Sequence, residues 1–317
     1  MKNSKFVLTA AAALALCPAL HAQTAANAQI IPAVPPSVTA PVSAPVTLRY
    51  KFAAGQVRRY SYDMDMNMNM LTGQSGGSIP INMTMKMIMR QTVKSVRPAD
   101  GAATIATKIE AMHMVQNGKE MTLPADAQAK MSQPFTQVML PTGKILSMAM
   151  PGMAGMGAPG MDFSKNMFSA TALLPAGPVK IGDQWSGAVE AAAAGAQSTF
   201  NATLTGVDQK NGATLATIDS KTTGTIDKSL VAGMPATMKM SGTVSGTGTQ
   251  VFDTTAGAVQ SATGTADTDM TMNFGKPVNG GEAPAGMPSS MKMQMQMKFT
   301  MTRLGDAATP ARVFSPR

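Results

Sequence analysis

The chain has 317 residues, a net charge of +9 at neutral pH, 31 methionines and one cysteine. Aromatic residues make up only 4% of the sequence, and the basic residues are spread thinly without a run of lysine or arginine. Nucleic-acid-binding surfaces combine clustered positive charge with aromatic side chains, so this composition argues against a nucleic-acid partner. No apolar stretch beyond the N-terminal segment is long enough for a transmembrane helix, which predicts a protein that does not span the membrane.

Residues 1–22 have the pattern of a secretory signal peptide. Two lysines precede the apolar run Phe6–Leu16, which is too short to cross a bilayer. Ala22 supplies a small residue at a cleavage point, and Ala28 supplies an alternative one. We therefore expect an exported, soluble protein in the periplasm or outside the cell.

Cys17 offers an alternative mode of export, as the attachment site of a lipid anchor. The bulky Leu16 and the following Pro18 suit lipoprotein processing poorly, so we favour soluble export. Cys17 is the only cysteine and leaves with the signal peptide. We therefore expect the mature chain to contain no disulfide bond.

The sequence carries few groups that could perform catalysis. After removal of the signal peptide, His113 is the only histidine, and the chain lacks the G-x-S-x-G, H-E-x-x-H and P-loop motifs. His113 lies between Met112 and Met114 on the polar phase of a predicted strand, where we interpret it as a solvated side chain. Carboxylates alone can hydrolyse bonds, but no carboxylate pair stands out. We expect a protein that is not an enzyme and has no cofactor.

The composition divides the chain into a folded region and two extensions. Residues 23–46 are rich in proline and alanine, which favours an extended tether. Residues 305–317 form a polar, proline-containing tail that we expect to be flexible. The folded region is predicted to span residues 47–304.

Three short sequence features occur twice in the same order, which indicates an internal duplication. Each copy of the Ala-Thr-x-Ala-Thr feature follows a turn signal, Asp-Gly or Asn-Gly. The paired segments are Gly55–Tyr60 with Gly182–Trp185, Ala103–Thr107 with Ala213–Thr217, and Thr136–Val138 with Thr249–Val251. We predict two related halves, residues 47–178 and 179–304.

Methionine occupies every second position in three stretches, a period that is typical of a strand with one apolar face and one polar face. The stretches contain Met64, Met66, Met68 and Met70; Met83, Met85, Met87 and Met89; and Met291, Met293, Met295, Met297 and Met301 with Phe299. Glycine and Asn/Asp turns between such segments predict a series of antiparallel strands in each half.

Apolar and charge complementarity predict the register of two hairpins. In the first, the predicted partners are Met70–Ile81, Met68–Met83, Met66–Met85, Met64–Met87 and Asp65–Lys86. In the last hairpin they are Phe274–Met291, Met272–Met293, Met270–Met295 and Asp267–Lys298. A shift by one residue would place methionine opposite Asn or Asp.

The predicted fold class is all-β with minor α content. Helical spacing is limited to Phe163–Leu174 and Ala125–Met131, so one or two short helices accompany two antiparallel halves. These helices are too small to cover the apolar sheet faces. The faces therefore either pack on each other as a sandwich, or curve around a helix and a ligand-sized cavity.

The segment Leu174–Trp185 (LPAGPVKIGDQW) resembles a P-x-x-P-V-x-x-G-D-x-W signature of an uncharacterised family of exported bacterial proteins. Residues 138–146 are similar to the strand that accompanies this signature. The resemblance implies an architecture like that of the curved-sheet lipoprotein carriers, in which a half-barrel wraps helices around a hydrophobic cavity. It implies no activity and no functional residue. From the residues themselves, we expect Gly182 and Asp183 to form a turn and Trp185 to pack in the core.

The alternating methionines support two interpretations. They can replace aliphatic residues in a sheet core, or they can form a soft, adaptable surface for an apolar ligand, a lipid or an envelope protein. We predict that a ligand-binding methionine face consists of Met64, Met66, Met68, Met83, Met85, Met87, Met293, Met295 and Met297. Binding of an apolar ligand or partner is the favoured function.

A second methionine-rich segment, here called the methionine loop, contains Met148, Met150, Met153, Met156 and Met161 between glycines and prolines. Its M-x-M and M-x-x-M spacings suit capture of Cu(I), because thioethers are soft ligands that need little fixed geometry. A low-complexity loop or a lid over the cavity is the simpler interpretation. Accessible methionines can also serve as an oxidant sink, because sulfoxide formation is reversible.

Overall fold

The computed structural model shows an all-β protein. The residues that it describes are 44–72, 77–122, 124–149, 173–191, 196–230, 236–277 and 289–305. Within these ranges there are twelve strands and one helix. The strands are β1 (Val57–Thr72), β2 (Ser78–Val96), β3 (Ala103–Gln116), β4 (Lys119–Glu120), β5 (Phe135–Met139), β6 (Ile145–Ala149), β7 (Gln184–Ala191), β8 (Ala196–Lys210), β9 (Ala213–Leu230), β10 (Ala236–Asp253), β11 (Ala258–Pro277) and β12 (Ser290–Leu304).

The helix, α1, spans Ala125–Met131 and confirms one of the two predicted helices. Of the other predicted helix, only the last two residues lie within the described ranges, and they are not helical. The all-β fold class is confirmed.

All twelve strands belong to one antiparallel sheet, with the order β6-β5-β3-β2-β1-β12-β11-β10-β9-β8-β7, and β4 pairs with β3. Neighbouring strands follow each other along the chain on both sides of the β1–β12 pair. That pair joins the first and last strands from Arg59–Leu304 to Thr72–Met291. The sheet is therefore continuous, and each predicted half contributes one contiguous part of it. The boundary between the halves at residue 178 stays a prediction.

The repeated Ala-Thr-x-Ala-Thr segments occupy equivalent positions at the start of long strands. Ala103 begins β3 and Ala213 begins β9. The turn before each strand contains left-handed backbone, with φ of 71° at Gly101 and of 51° and 77° at Asn211 and Gly212. Glycine and asparagine adopt this conformation most readily, which explains why the turn signals precede both copies.

The predicted register of the first hairpin is wrong by two residues. The observed partners are Met66–Met83, Met64–Met85, Met68–Ile81 and Asp63–Lys86. A shift by two residues keeps every side chain on its predicted face, because the side-chain period of a strand is two. The observed ladder extends as far as Leu71–Ser78.

The last hairpin shows the same difference. The observed partners are Met272–Met291, Met270–Met293, Asp267–Gln296 and Thr265–Lys298. Met270 and Met272 again face methionine, although Met295 now faces Thr268. The alternation of faces is unchanged, because it does not distinguish registers that differ by two. The predicted Asp267–Lys298 pair is not formed, and the ladder continues to Asn273–Ser290.

Segments outside the sheet close one end of the main hydrophobic core. Val46 and Val179 form an isolated antiparallel bridge, with N–O distances of 2.8 and 2.9 Å. The Trp185 indole nitrogen donates to the Leu173 carbonyl at 2.7 Å, and Trp185 is only 2% exposed. The prediction that Trp185 packs in the core is confirmed. Val46, at the end of the predicted tether, belongs to the folded structure.

Candidate functional site: a methionine-lined cavity beside β3

The predicted methionine face lies in the core of the sheet. Eight of its nine residues are at most 6% exposed, and Met64 is half-buried. All of them except Met297 belong to two clusters, one around β1, β2 and β9–β12 and the other around β2 and β3. Cross-strand pairing places methionines of β1 opposite methionines of β2 and β12. Ligand binding by this face stays a prediction.

A row of opposed methionines runs across β1, β2 and β3 and ends at Met121, just after β4. Met64 faces Met85, and Met85 faces Met114. The backbone N–H of Met121 donates to the Met114 carbonyl at 2.9 Å, which extends the row by one residue past β4. Directly opposed residues on one face have Cβ atoms roughly 5 Å apart, so thioether side chains in such a row contact each other.

A β-bulge determines which residues of β3 join this row. Ile109 pairs with Met89 and Met112 pairs with Met87, so three residues of β3 span a step that takes two residues of β2. The extra residue changes the phase of the alternation in β3. As a result, Ile109, Met112 and Met114 all pack against the same methionine cluster.

Beside this cluster lies a cavity of about 250 Å³, here called the β3–α1 cavity. Its walls combine β3, the β4 segment and α1, and its apolar lining comes mostly from methionine. The lining residues are Ile109, Glu110, Ala111, Met112, Met114, Glu120, Met121, Thr122, Gln128, Met131 and Ser132. The sequence pattern did not predict this cavity. Of the residues close to it, His113 was considered as a candidate, and it neighbours Met112 and Met114. The short distance in sequence between Met112, Met114 and Met121 is a signal that could have identified the cavity.

The two glutamates that line the cavity each lie beside a nitrogen-bearing side chain. Arg59 donates to Glu110, with an Nη2–Oε2 distance of 2.7 Å. The His113 Nδ1 atom lies 3.3 Å from the Glu120 carboxylate, and the His113 side chain is 27% exposed. His113 is thus half-buried beside an acidic partner, rather than the solvated side chain that the sequence predicts. Its strand neighbours Met112 and Met114 line the cavity.

The methionine loop is only partly within the described residues. Met148 lies in β6 opposite Gln137, half-buried against the main core cluster. This corrects the prediction that Met148 belongs to a loop without a core to pack against, because the strand continues past Ser147. Met150, Met153, Met156 and Met161 lie outside the described residues, so the proposed Cu(I) site in this loop stays a prediction.

A second, smaller cavity of about 40 Å³ lies over β10 and β11. Glycines and alanines form its floor, and Met297 and Phe299 of β12 form its opposite wall. A Cβ atom added to Gly264 would lie 2.5 Å from Cε1 of Phe299. The small residues thus allow the large side chains of β12 to lie close to the backbone of β10 and β11.

Other kinds of site are not found in the described ranges. Within them, no three His, Cys, Asp or Glu side chains are grouped so that they could hold a metal ion. None of the helices in those ranges has the length and apolar character needed to cross a membrane.

Comparison with known proteins gives a partial family match. A family of unknown function, DUF6263, matches residues 160–259, a range that includes the Leu174–Trp185 signature segment. No curated protein matches the chain.

Several solved structures are similar at low sequence identity. Lipovitellin, described for its lipid–protein interactions, matches with a TM-score of 0.42 and 10% identity over 84% of this chain and 27% of its own. An outer membrane lipoprotein-sorting protein domain from Vibrio parahaemolyticus matches with a TM-score of 0.16 and 10% identity over 76% and 85% of the two chains. A DUF1329 family protein from Desulfovibrio piger has a TM-score of 0.15 and 10% identity over 81% and 89%. The function therefore has to be inferred from the residues of this chain.

Proposed function

We propose that the protein is an exported, non-enzymatic binding protein that holds an apolar small molecule or part of a lipid in the β3–α1 cavity. The observation that carries this proposal is the cavity itself, because its wall is continuous with the buried methionine cluster of β2 and β3. The signal-like residues 1–22 support export to the periplasm or the cell exterior.

The chemistry of the cavity wall favours an apolar ligand. Ile109 and four methionines supply the apolar surface, while Thr122, Gln128 and Ser132 lie at the polar rim. Binding pockets commonly combine a mostly apolar lining with a few polar groups that fix ligand orientation. Methionine side chains are flexible and polarizable, so such a wall can adapt to ligands of different shape.

The size of the cavity limits what it can enclose. Pockets that enclose a whole drug-sized ligand begin at about 300 Å³, slightly above the 250 Å³ observed here. The cavity therefore suits a small hydrophobic molecule or one end of a longer chain. Each carboxylate at the cavity lies beside another polar side chain, Glu110 beside Arg59 and Glu120 beside His113, which fits a binding role.

A fluorescent fatty acid provides a direct test of binding. We expect the purified protein to bind this probe and solvent extraction to release a co-purifying apolar molecule. Replacing Met121 by Gln keeps the side-chain length but places an amide in the apolar wall. Burial of that amide should cost about 1–3 kcal/mol, which weakens probe binding by roughly tenfold.

Met272→Gln is the matched control, because Met272 is also half-buried but packs in the other methionine cluster. The control should bind the probe like the unmodified protein. Equal affinities of the Met121→Gln and unmodified proteins would contradict binding in this cavity. The absence of any probe binding or extracted molecule would indicate a purely structural role for the methionine core.

A further inference from the structure

Four thioethers from three parts of the chain line the same cavity. Met112 and Met114 come from β3, Met121 from the segment after β4, and Met131 from the last residue of α1. The hydrogen bond from the Met121 N–H to the Met114 carbonyl, at 2.9 Å, fixes two of these residues side by side. Met114 is buried, whereas the other three are half-buried.

This arrangement has the chemical character of a soft-metal site. Thioether sulfur is a soft, neutral ligand that selects Cu(I) over hard cations. A neutral ligand set leaves the positive charge of the ion in place, and a nearby negative charge stabilises a cation in a partly desolvated site. Glu120 lines the same cavity and supplies such charge, whereas the Glu110 carboxylate is already paired with Arg59.

We propose that the β3–α1 cavity binds Cu(I) through the sulfur atoms of Met112, Met114, Met121 and Met131. This inference goes beyond the proposed binding of an apolar molecule and does not depend on it. The cavity contributes ligands from a strand, a hairpin and a helix that the fold holds together, so less conformational entropy is lost on binding than in a flexible segment. An apolar ligand and Cu(I) would compete for the same space.

The test compares two sets of methionine-to-leucine replacements by anaerobic titration of Cu(I) against a chromophoric Cu(I) chelator. Leucine keeps the apolar character of the site and removes the sulfur. The cavity variant carries Met112→Leu, Met121→Leu and Met131→Leu. The matched control replaces the five residues of the methionine loop by leucine.

We expect the unmodified protein and the loop variant to bind Cu(I) alike, and the cavity variant to bind it at least about tenfold more weakly. X-ray absorption of the Cu(I) complex should show sulfur ligands that are lost in the cavity variant. Retained affinity in the cavity variant would overturn the proposal. It would likewise be overturned by loss of binding in the loop variant alone, by equal losses in both, or by no Cu(I) binding in the unmodified protein.

Two further measurements show whether the cavity variant is folded and whether it still binds an apolar molecule. Circular dichroism establishes that the cavity variant is folded. If it is not, the single variant Met121→Leu, at a half-buried position, replaces it with the same expectation of weakened Cu(I) binding. The fluorescent fatty acid should still bind the cavity variant, because leucine keeps the wall apolar. If the fluorescent fatty acid does not bind the unmodified protein, the apolar-ligand function is contradicted and the Cu(I) result is unaffected.

Discussion

Phe299 of β12 lies directly over Gly264 of β11, its cross-strand partner. A Cβ atom at Gly264 would be 2.5 Å from the Phe299 ring and 2.8 Å from the Thr247 carbonyl oxygen. The aromatic ring thus occupies space that any other residue at position 264 would need. This contact joins the large side chains around β1 and β12 to the small residues of β10 and β11.

Replacing Gly264 by alanine should therefore destabilise the protein. The added methyl group must displace the Phe299 ring and the backbone of β10, and overpacking of this kind costs about 1–3 kcal/mol of unfolding free energy. Urea unfolding followed by circular dichroism measures the change. The expected result is a lower midpoint with an unchanged slope.

Gly206→Ala is the control for this experiment. Gly206 also lies in a long strand, β8, but the nearest atom to an added Cβ is the Cβ of Thr217 at 3.6 Å, an ordinary contact. Alanine there should cause no loss of stability and can gain up to about 1 kcal/mol, because it reduces the entropy of the unfolded chain. Equal effects of the two substitutions would show that the Phe299 contact does not restrict position 264.

Strand existence and face could be predicted from the sequence, because the period-two methionine pattern is local and strong. Trp185 and α1 followed from equally local signals. The hairpin registers could not be predicted to better than two residues, since registers that differ by two keep every side chain on the same face.

The β3–α1 cavity depends on features that a periodic pattern does not contain. The bulge at Glu110 changes the phase of β3, and the packing of Met121 and Met131 beside Met114 arises from the path of the chain after β4. For Met148, the sequence pattern was misleading. The nearby glycines and prolines suggested a loop, whereas pairing with β5 keeps this residue in a strand.

The turn between β2 and β3 contains an ion pair whose contribution to stability should depend on pH. The Arg97 side chain bonds Asp100 with donor–acceptor distances of 2.8 and 2.5 Å, and the Ala102 N–H adds a bond of 3.1 Å. These bonds lower the pKa of Asp100 from its ordinary value of 3.8 to about 2, with the Arg97 bond as the main cause. The stability that the ionised carboxylate contributes is therefore fully present above pH 3.8 and is lost as the pH falls toward 2.

NMR titration of the Asp100 carboxyl group measures this shift. We expect a midpoint near the pKa of about 2, and a rise in that pKa toward its ordinary value in Arg97→Gln. Arg90→Gln is the control, because Arg90 is an exposed arginine farther back in β2, and it should leave the titration unchanged. An unchanged Asp100 midpoint in Arg97→Gln would mean that the arginine does not determine the shift.

The difference in exposure among the methionines predicts the order of their oxidation. Met112, Met121 and Met131 are half-buried around the β3–α1 cavity, whereas Met89 and Met295 are each only 1% exposed. Peroxide transfers one oxygen atom to a thioether and leaves water, and access to the sulfur controls the rate. Peptide mass spectrometry at increasing peroxide exposure should therefore detect sulfoxide at the cavity residues before it is detected at Met89 and Met295.

Oxidation should also change what the cavity binds. A sulfoxide is polar, so conversion of Met112, Met121 and Met131 should weaken binding of the fluorescent fatty acid. It also replaces the soft thioether donor that Cu(I) prefers by a harder and weaker one. The Met112→Leu, Met121→Leu and Met131→Leu variant provides the control, because it cannot be oxidised at these positions. Its fatty-acid binding should survive the same peroxide treatment. If peroxide abolishes fatty-acid binding equally in both proteins, oxidation elsewhere in the chain is responsible and the cavity methionines are not the sensitive group.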